Sequence, residues 1–367
     1  MKNKPYFIYL DSKIVGTAKQ IMTFFENGIF PRENTTLLIK KYKHRSAKVI
    51  SHLFQKANVT HRFVKAADLD ALREGIIFYP FNAQSNCRAV ANRNLIHIFI
   101  THGESSKISS VKPIIRIYDY VMTAGDAGID RFFNHKIFFP ADLERLITGG
   151  DTFVGKTGLS DSSDNTTPVI FYAPTWEGGI PQENYSSLSY TELVTRVILQ
   201  LSQCYHTDHI VIRSHPNTGY RLAEYKEFLL HLIENLLKES KKLILFKPHL
   251  NFSLLQTWKL KRKGVCLVDT LQHFNAVFGL CDISAVETQL LNENIPYYLF
   301  CSKKHSEYLL SLKCNQYYQR NLIYFQEHFS RPPFSMEGFF QLKDYIIDNS
   351  YSKIPLNKRI VSILENL

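Results

Sequence analysis

Short apolar, β-prone runs recur along the first half of the chain, at Tyr6–Leu10, Thr36–Ile39, Arg62–Val64, Ile76–Tyr79, Ile96–Thr101 and Tyr118–Thr123. Between them lie stretches such as Arg45–Ala57 and Ala66–Arg73, whose apolar positions recur at helical spacing. Strands and helices alternating at this interval predict βαβ units and a mostly parallel sheet covered on both faces. From Ile147 to Pro168 the chain turns to Gly, Ser, Thr, Asp and Asn, as connecting segments do. Strand-like runs resume at Val169–Tyr172, His209–Arg213, Leu243–Phe246, Val265–Leu267 and Ala276–Ile283, with helical patterns at Tyr190–Cys204 and Glu224–Lys238. The expected fold is therefore α/β: two facing doubly wound domains with a cleft between them. The expected boundaries are 1–148 for the first domain, 149–167 for a linker, 168–334 for the second domain and 335–367 for C-terminal helices.

At 367 residues, 45% of them hydrophobic and 13% aromatic, the chain has material for two packed cores, which excludes global disorder. The formal charge of +11 favours an anionic partner or surface without choosing among nucleic acid, lipid and phosphate-rich substrates. No nucleic-acid motif stands out, and none is expected as a partner. Six cysteines are scattered without metal spacing, and Cys266, Cys281 and Cys301 lie in apolar runs that predict reduced core thiols and a cytoplasmic setting. The N-terminal run turns polar at Asp11, which predicts neither signal peptide nor anchor. No apolar run approaches the roughly 18 to 20 residues that span a bilayer. A membrane partner would thus be met at its surface, and two segments suit that role: Lys226–Lys238, and Trp258 with the basic residues through Lys263. A core-facing helix and a solvated charged loop account for them equally well.

Candidate chemistry gathers where apolar runs stop. His102 follows Ile96–Thr101 and precedes Gly103, placing an imidazole at a strand end, either as a proton acceptor or as a turn residue bonded to backbone. Thr175 and Trp176 are presented where a strand breaks at Pro174, Trp176 as a pocket wall and Thr175 as a hydrogen-bond donor to a phosphate, or Trp176 as an aromatic plug. Arg213 and His215, two apart before Pro216, point to one side if the chain stays extended, and together would suit a diphosphate. Ser284 and Glu287 have the spacing of a capping box, with Ala285 opening the helix. A capped helix start directs free N–H groups at the strand ends, where a pyrophosphate would bind. Asp269 is either a helix cap or a ribose contact, the cap being favoured. No zinc, calcium, Walker or dinucleotide motif is present, so no metal and no tightly bound cofactor is expected.

Taken in order, His102-Gly103, Tyr172-Ala-Pro-Thr-Trp176, Arg213-x-His215-Pro216, Asp269 and Cys281-Asp-Ile-Ser284 resemble the CDP-glycerol glycerophosphotransferase family, the teichoic-acid and capsule polymerases and primases of GT-B architecture. The resemblance implies transfer of a glycerol- or ribitol-phosphate from a CDP-activated donor to a hydroxyl of a lipid-linked or growing cell-surface glycan, with release of CMP. It implies His102 as base on the acceptor hydroxyl, Arg213 and His215 on the diphosphate, Ser284 and the helix start at Ala285 on a phosphate, and Thr175 and Trp176 shaping the donor pocket. It further implies a cytoplasmic protein at the inner face of the membrane. The chain departs from the family where members carry a basic residue after the tryptophan, a second serine and an acidic residue. Here these are Glu177, Ala285 and Gln289. The departures leave other nucleotide-activated alditols, and nucleotide sugars for a GT-B glycosyltransferase, as alternative donors. A non-catalytic protein binding anionic glycan or membrane is the third reading.

Overall fold

The computed structural model describes residues 4–13, 15–44, 46–101, 103–326, 334–365 and 367, without the side chains of 108 and 109. His102 and residues 327–333 of the expected C-terminal helical region lie outside them.

Seven strands form the first sheet: β1 (Tyr6–Leu10), β2 (Thr35–Lys40), β3 (His61–Val64), β4 (Ile76–Tyr79), β5 (Ile96–Phe99), β6 (Tyr120–Thr123) and β7 (Leu146–Thr148). Their order is β3-β2-β1-β4-β5-β6-β7, all pairs parallel. The near-continuous apolar runs have a plain reason, since both faces are covered. Tyr6, Ile8 and Leu10 of β1 join one core with Ile21, Phe24 and Phe25 of the helix Val15–Glu26. Phe7 and Tyr9, pointing the other way, join a second core with Ile77, Tyr79 and Phe99.

The second sheet contains β8 (Thr167–Ala173), β9 (His209–Ile212), β10 (Lys242–Phe246), β11 (Cys266–Val268), β12 (Phe274–Asp282), β13 (Tyr297–Cys301) and β14 (Leu322–Tyr324). It too is parallel, in the order β11-β10-β9-β8-β12-β13-β14. The expected α/β class with two doubly wound sheets is what the chain adopts. The strands run within about two residues of their expected limits, whereas β7, β13 and β14 were not foreseen.

One compact unit comprises Met1–Glu104, Ser110–Gly155 and Asp344–Leu367, and the other Ser105–Ser109 with Lys156–Lys343. The turn-rich stretch 149–167 is divided between them and packed. Leu159 is buried and bridges to Leu271, and Thr157 donates from its backbone to Glu293 at 2.8 Å. The C-terminal residues return to the first unit. Ile360, Ile363 and Leu364 enter its core, Thr148 donates to Asp348 at 2.6 Å, and Arg359 pairs with Asp151.

Two expectations are corrected here. Cys266 is exposed, because β11 is an edge strand, whereas Cys281 and Cys301 are buried. The helix Glu224–Lys238 turns Leu229, Leu232, Ile233 and Leu236 into the second core, so this apolar face is not available to a membrane.

Candidate active site

In the second sheet the chain moves outward from β8 through β9, β10 and β11, then resumes on the opposite side of β8 with β12. Successive connections thus leave β8 and β12 in opposite directions, and open α/β sheets bind ligands in the crevice this leaves at the strands' carboxyl ends. Ala173 is in register with Cys281, and Tyr172 with Ile212. The tips of β9, β8 and β12 therefore stand side by side.

The last residue of β12, Asp282, is fully buried. Its carboxylate accepts from the Thr175 backbone N–H at 2.7 Å and the Ser187 N–H at 3.2 Å, and the Ser187 hydroxyl meets the Tyr172 hydroxyl at 2.8 Å. Thr175 is buried as well, its carbonyl accepting from the Ser186 hydroxyl at 2.8 Å and its own hydroxyl from the Lys107 ammonium at 2.8 Å. Lys107 belongs to the short segment Ser105–Ser109 that packs with this unit, and lies over the Tyr185 ring at 5.6 Å. Burial pushes the Asp282 carboxyl up to about 7, against bonds from Ser187 and Thr175 and the nearby Lys107 charge that hold it down. Burial likewise brings Lys107 down to about 8, with the charges of Asp282 and Glu183 opposing. A carboxyl and an ammonium far apart in proton affinity in water are here brought close to neutrality, as at sites that handle charge.

Beyond Thr175, the Trp176 ring stacks on His215, centroids 5.7 Å apart and planes 14° from parallel. His215 Nδ1 accepts from the Asn217 N–H at 3.1 Å, so the neutral ring carries its proton on Nε2. Behind the histidine, fully buried Glu177 accepts from the backbone N–H groups of Gly219 at 3.0 Å, Arg221 at 2.8 Å and Leu222 at 3.1 Å. This glutamate thus fixes the turn that carries His215. The neighbouring Gly178, at φ +73°, runs so close to Glu183 that an added Cβ would lie 2.4 Å from its carbonyl oxygen.

Arg213 does not form a common clamp with His215. β9 ends at Ile212, and the guanidinium donates to the Thr157 carbonyl at 2.7 Å and to Gln289 Oε1 at 2.7 Å, over the Phe171 ring. Burial lowers its pKa to about 10. Bonded in this way, Arg213 ties the chain's entry into this unit to the helix Ala285–Asn292. Ser284 does cap that helix, accepting from the Val286 N–H at 3.3 Å, but the capping box is half made. Glu287 is turned into the core, accepting from the Tyr297 hydroxyl at 3.1 Å and the Tyr318 hydroxyl at 2.6 Å, and burial raises it to about 7. Ala285 opens the helix beside the site. Asp269 caps nothing, since no helix begins there; it is exposed and pairs with Lys247 at 3.3 Å.

In the first unit, the residues flanking His102 are held firmly. Thr101 sits at φ +59° with its hydroxyl donating to the Gly103 carbonyl at 2.6 Å, and Gly103 at φ +140°. Buried Glu104 pairs with Arg131 and accepts from the Ala124 N–H at 3.1 Å. A β-branched residue at positive φ costs on the order of 1 to 3 kcal/mol, a strain that clusters at functional loops.

Sequence reasoning passed over Lys107 as a site residue and quoted Asp282 only within a motif. Asp282 had a signal, as a lone charge inside an apolar run. Lys107, in a polar stretch with no periodicity, had none.

No family model matches the chain, and no curated protein matches it. Solved structures do. A UDP complex of S. aureus MnaA shares 8% identity over 99% of this chain and 96% of its own, with a TM-score of 0.46. The wall teichoic acid polymerase TagF shares 13% over 99% and 90%, with a TM-score of 0.46. An α,α-trehalose-phosphate synthase (UDP-forming) from Burkholderia vietnamiensis shares 10% over 99% and 93%, with a TM-score of 0.39. Likeness of this degree says nothing about activity, which must be argued from this chain's own residues.

Proposed function

We propose that the chain is a transferase that takes a phosphate-bearing group from a nucleotide-activated donor, and specifically a glycerol- or ribitol-phosphate from a CDP-alditol. The observation that carries this reading is the cationic strand-end site. The Lys107 ammonium is bonded to Thr175 at the β8/β12 crevice, beside the capped helix start at Ser284 and the stacked Trp176 and His215. Lys107, the Thr175 hydroxyl and the N–H groups at Ala285 suit a diphosphate, and Trp176 supplies a flat wall for a base or alditol.

In the proposed reaction His102 removes the proton from the acceptor hydroxyl, whose oxygen forms a bond to the donor's alditol-bearing phosphorus. The bond from that phosphorus to the bridging oxygen breaks, and the electron pair leaves on the phosphate of CMP. His215, through Nε2–H, and Lys107 stabilise the charge developing there. Positioning and electrostatics carry such a step, since its transition state asks little covalent help. The acceptor is a hydroxyl on a lipid-linked glycan or polyol-phosphate chain. An anionic acceptor is supported by the carboxyl edge of the first sheet, where Lys13 lies 4.8 Å over the Tyr42 ring beside Lys41 and Lys43, while Lys40, 5.2 Å from that ring, is already paired with Asp11 at 2.9 Å.

The test is product analysis after purified protein meets CDP-glycerol, CDP-ribitol and common nucleotide sugars with a glycan-phosphate acceptor. CMP released in proportion to acceptor, and lost in His102→Ala and His215→Ala, is the expected result. Release of a nucleoside diphosphate from a sugar donor would replace phosphoryl transfer by glycosyl transfer and remove His102 from its assigned role.

A further inference from the structure

The helix Leu254–Arg262 is built the wrong way round for a water-facing surface. Its one buried side chain is Leu260. Leu254 is 91% exposed, Leu255 60% and Trp258 53%, the first of these being the most exposed large hydrophobic side chain among the described residues. At about 100° per residue, Leu254, Leu255, Trp258, Lys259, Lys261 and Arg262 fall within an arc of roughly 160°, and Leu260 lies opposite its centre. Apolar and basic side chains thus share the solvent face.

Charge around the helix is one-sided. From Lys247 to Lys263 the chain has no Asp or Glu, against Lys247, Lys259, Lys261, Arg262 and Lys263. Lys263 pairs with Glu234 and Lys247 with Asp269, while the Arg262 guanidinium lies 4.7 Å over the Trp258 ring. A capping box starts the helix, Ser253 Oγ accepting from the Gln256 N–H at 3.2 Å and Gln256 Oε1 from the Ser253 N–H at 2.9 Å, and buried Leu260 anchors it. Nine residues span about 13 Å, enough to lie in an interface and far too little to cross one.

We infer that this helix docks the protein on an anionic lipid bilayer, Leu254, Leu255 and Trp258 entering the headgroup boundary and the basic residues meeting lipid phosphates. Tryptophan favours that depth, and two leucines beside a cationic rim match an acidic bilayer in both shape and charge. The inference rests on the helix alone and holds whichever donor the enzyme uses.

The experiment is cosedimentation of the whole chain with vesicles of phosphatidylcholine alone and of phosphatidylcholine mixed with phosphatidylglycerol. Wild-type protein is expected to bind the mixed vesicles, more weakly as salt rises, and the neutral ones little. Leu254→Ser/Leu255→Ser/Trp258→Ser and Lys259→Gln/Lys261→Gln/Arg262→Gln should each weaken binding about tenfold or more. Trp258→Phe should retain most of it. Because all these side chains are on the surface, unchanged thermal midpoints would separate lost docking from lost folding. Undiminished binding in either triple variant, or no wild-type binding to acidic vesicles, would overturn the inference. So would a concentration-dependent self-association abolished by the apolar variant without vesicle binding, which would assign the face to a second copy.

Discussion

At the strand ends of the second sheet, burial brings the Asp282 carboxyl up to about 7 and the Lys107 ammonium down to about 8. If the ammonium of Lys107 binds the donor diphosphate, donor KM should climb as pH passes about 8 and the ammonium loses its proton. Lys107→Arg, always charged, should carry tight binding to higher pH, and Lys107→Met should weaken it at every pH; KM against pH for the three proteins checks this. Glu287 offers a second titration, this one read in stability. Its folded value is raised from 4.5 to about 7, so the protonated form is favoured by folding. Stability from this group is therefore full below about 4.5 and lost as pH rises through about 7. Glu287→Gln keeps an acceptor for Tyr297 and Tyr318 without the charge. It should be more stable than wild type above pH 7, by on the order of 2 kcal/mol, with the advantage gone below about pH 4.5, as urea denaturation across pH would reveal. Residue by residue, Trp176 and His215 drew notice as scarce side chains at the ends of apolar runs, and the Ser284 cap as a serine before a helical pattern with Glu287 three residues on. The inward turn of Glu287 was not, since Tyr297 and Tyr318 reach it only through the packing of β13 and the helix Gln316–Asn321.

At the level of elements, the helix Ala285–Asn292 and the turn 217–222 position the site from opposite sides. Ser284→Ala removes the cap and should cost about 1 kcal/mol, with donor affinity falling more than the small loss of stability explains; thermal denaturation and binding isotherms together check this. Glu177→Ala strands three backbone donors and should loosen the turn that holds His215. New proteolytic cleavage within 217–222 and a kcat loss of about tenfold or more, at modest change in KM, are the expected outcomes. Elements were more legible than their contacts. Parallel strands buried on both faces announce themselves as apolar runs bounded by turn residues, as at Tyr6–Leu10 and Ile76–Tyr79, whose limits were read without error. β7 and β14, with three residues each, are too short to show any period. β13, Tyr297–Cys301, is apolar throughout and follows Pro296, which leaves periodicity nothing to discriminate. Arg213 shows the reverse failure. An i, i+2 rule holds only in extended chain, and β9 stops one residue before it.

Across the whole molecule, the division of the sequence is the feature least visible beforehand, because it depends on where distant segments pack. Asp344–Leu367 belongs to the first unit, where Tyr345 donates to Asp130 at 2.7 Å and Ile360, Ile363 and Leu364 fill the core behind β1 and the helix Val15–Glu26. Ending the chain at Lys343 should leave the second unit protected and the first unfolded. Limited proteolysis is then expected to yield a resistant fragment close to Lys156–Lys343, and survival of the first unit would contradict this assignment. The arrangement also bears on how the protein is made. Nascent chains generally complete their domains from the N-terminus onward as they leave the ribosome. Here the first unit must wait, its core open, until a helix that starts about two hundred residues after Gly155 has emerged. The stretch Lys156–Lys343 can close in the meantime, so of the two units the one whose synthesis begins earlier is the later to become native.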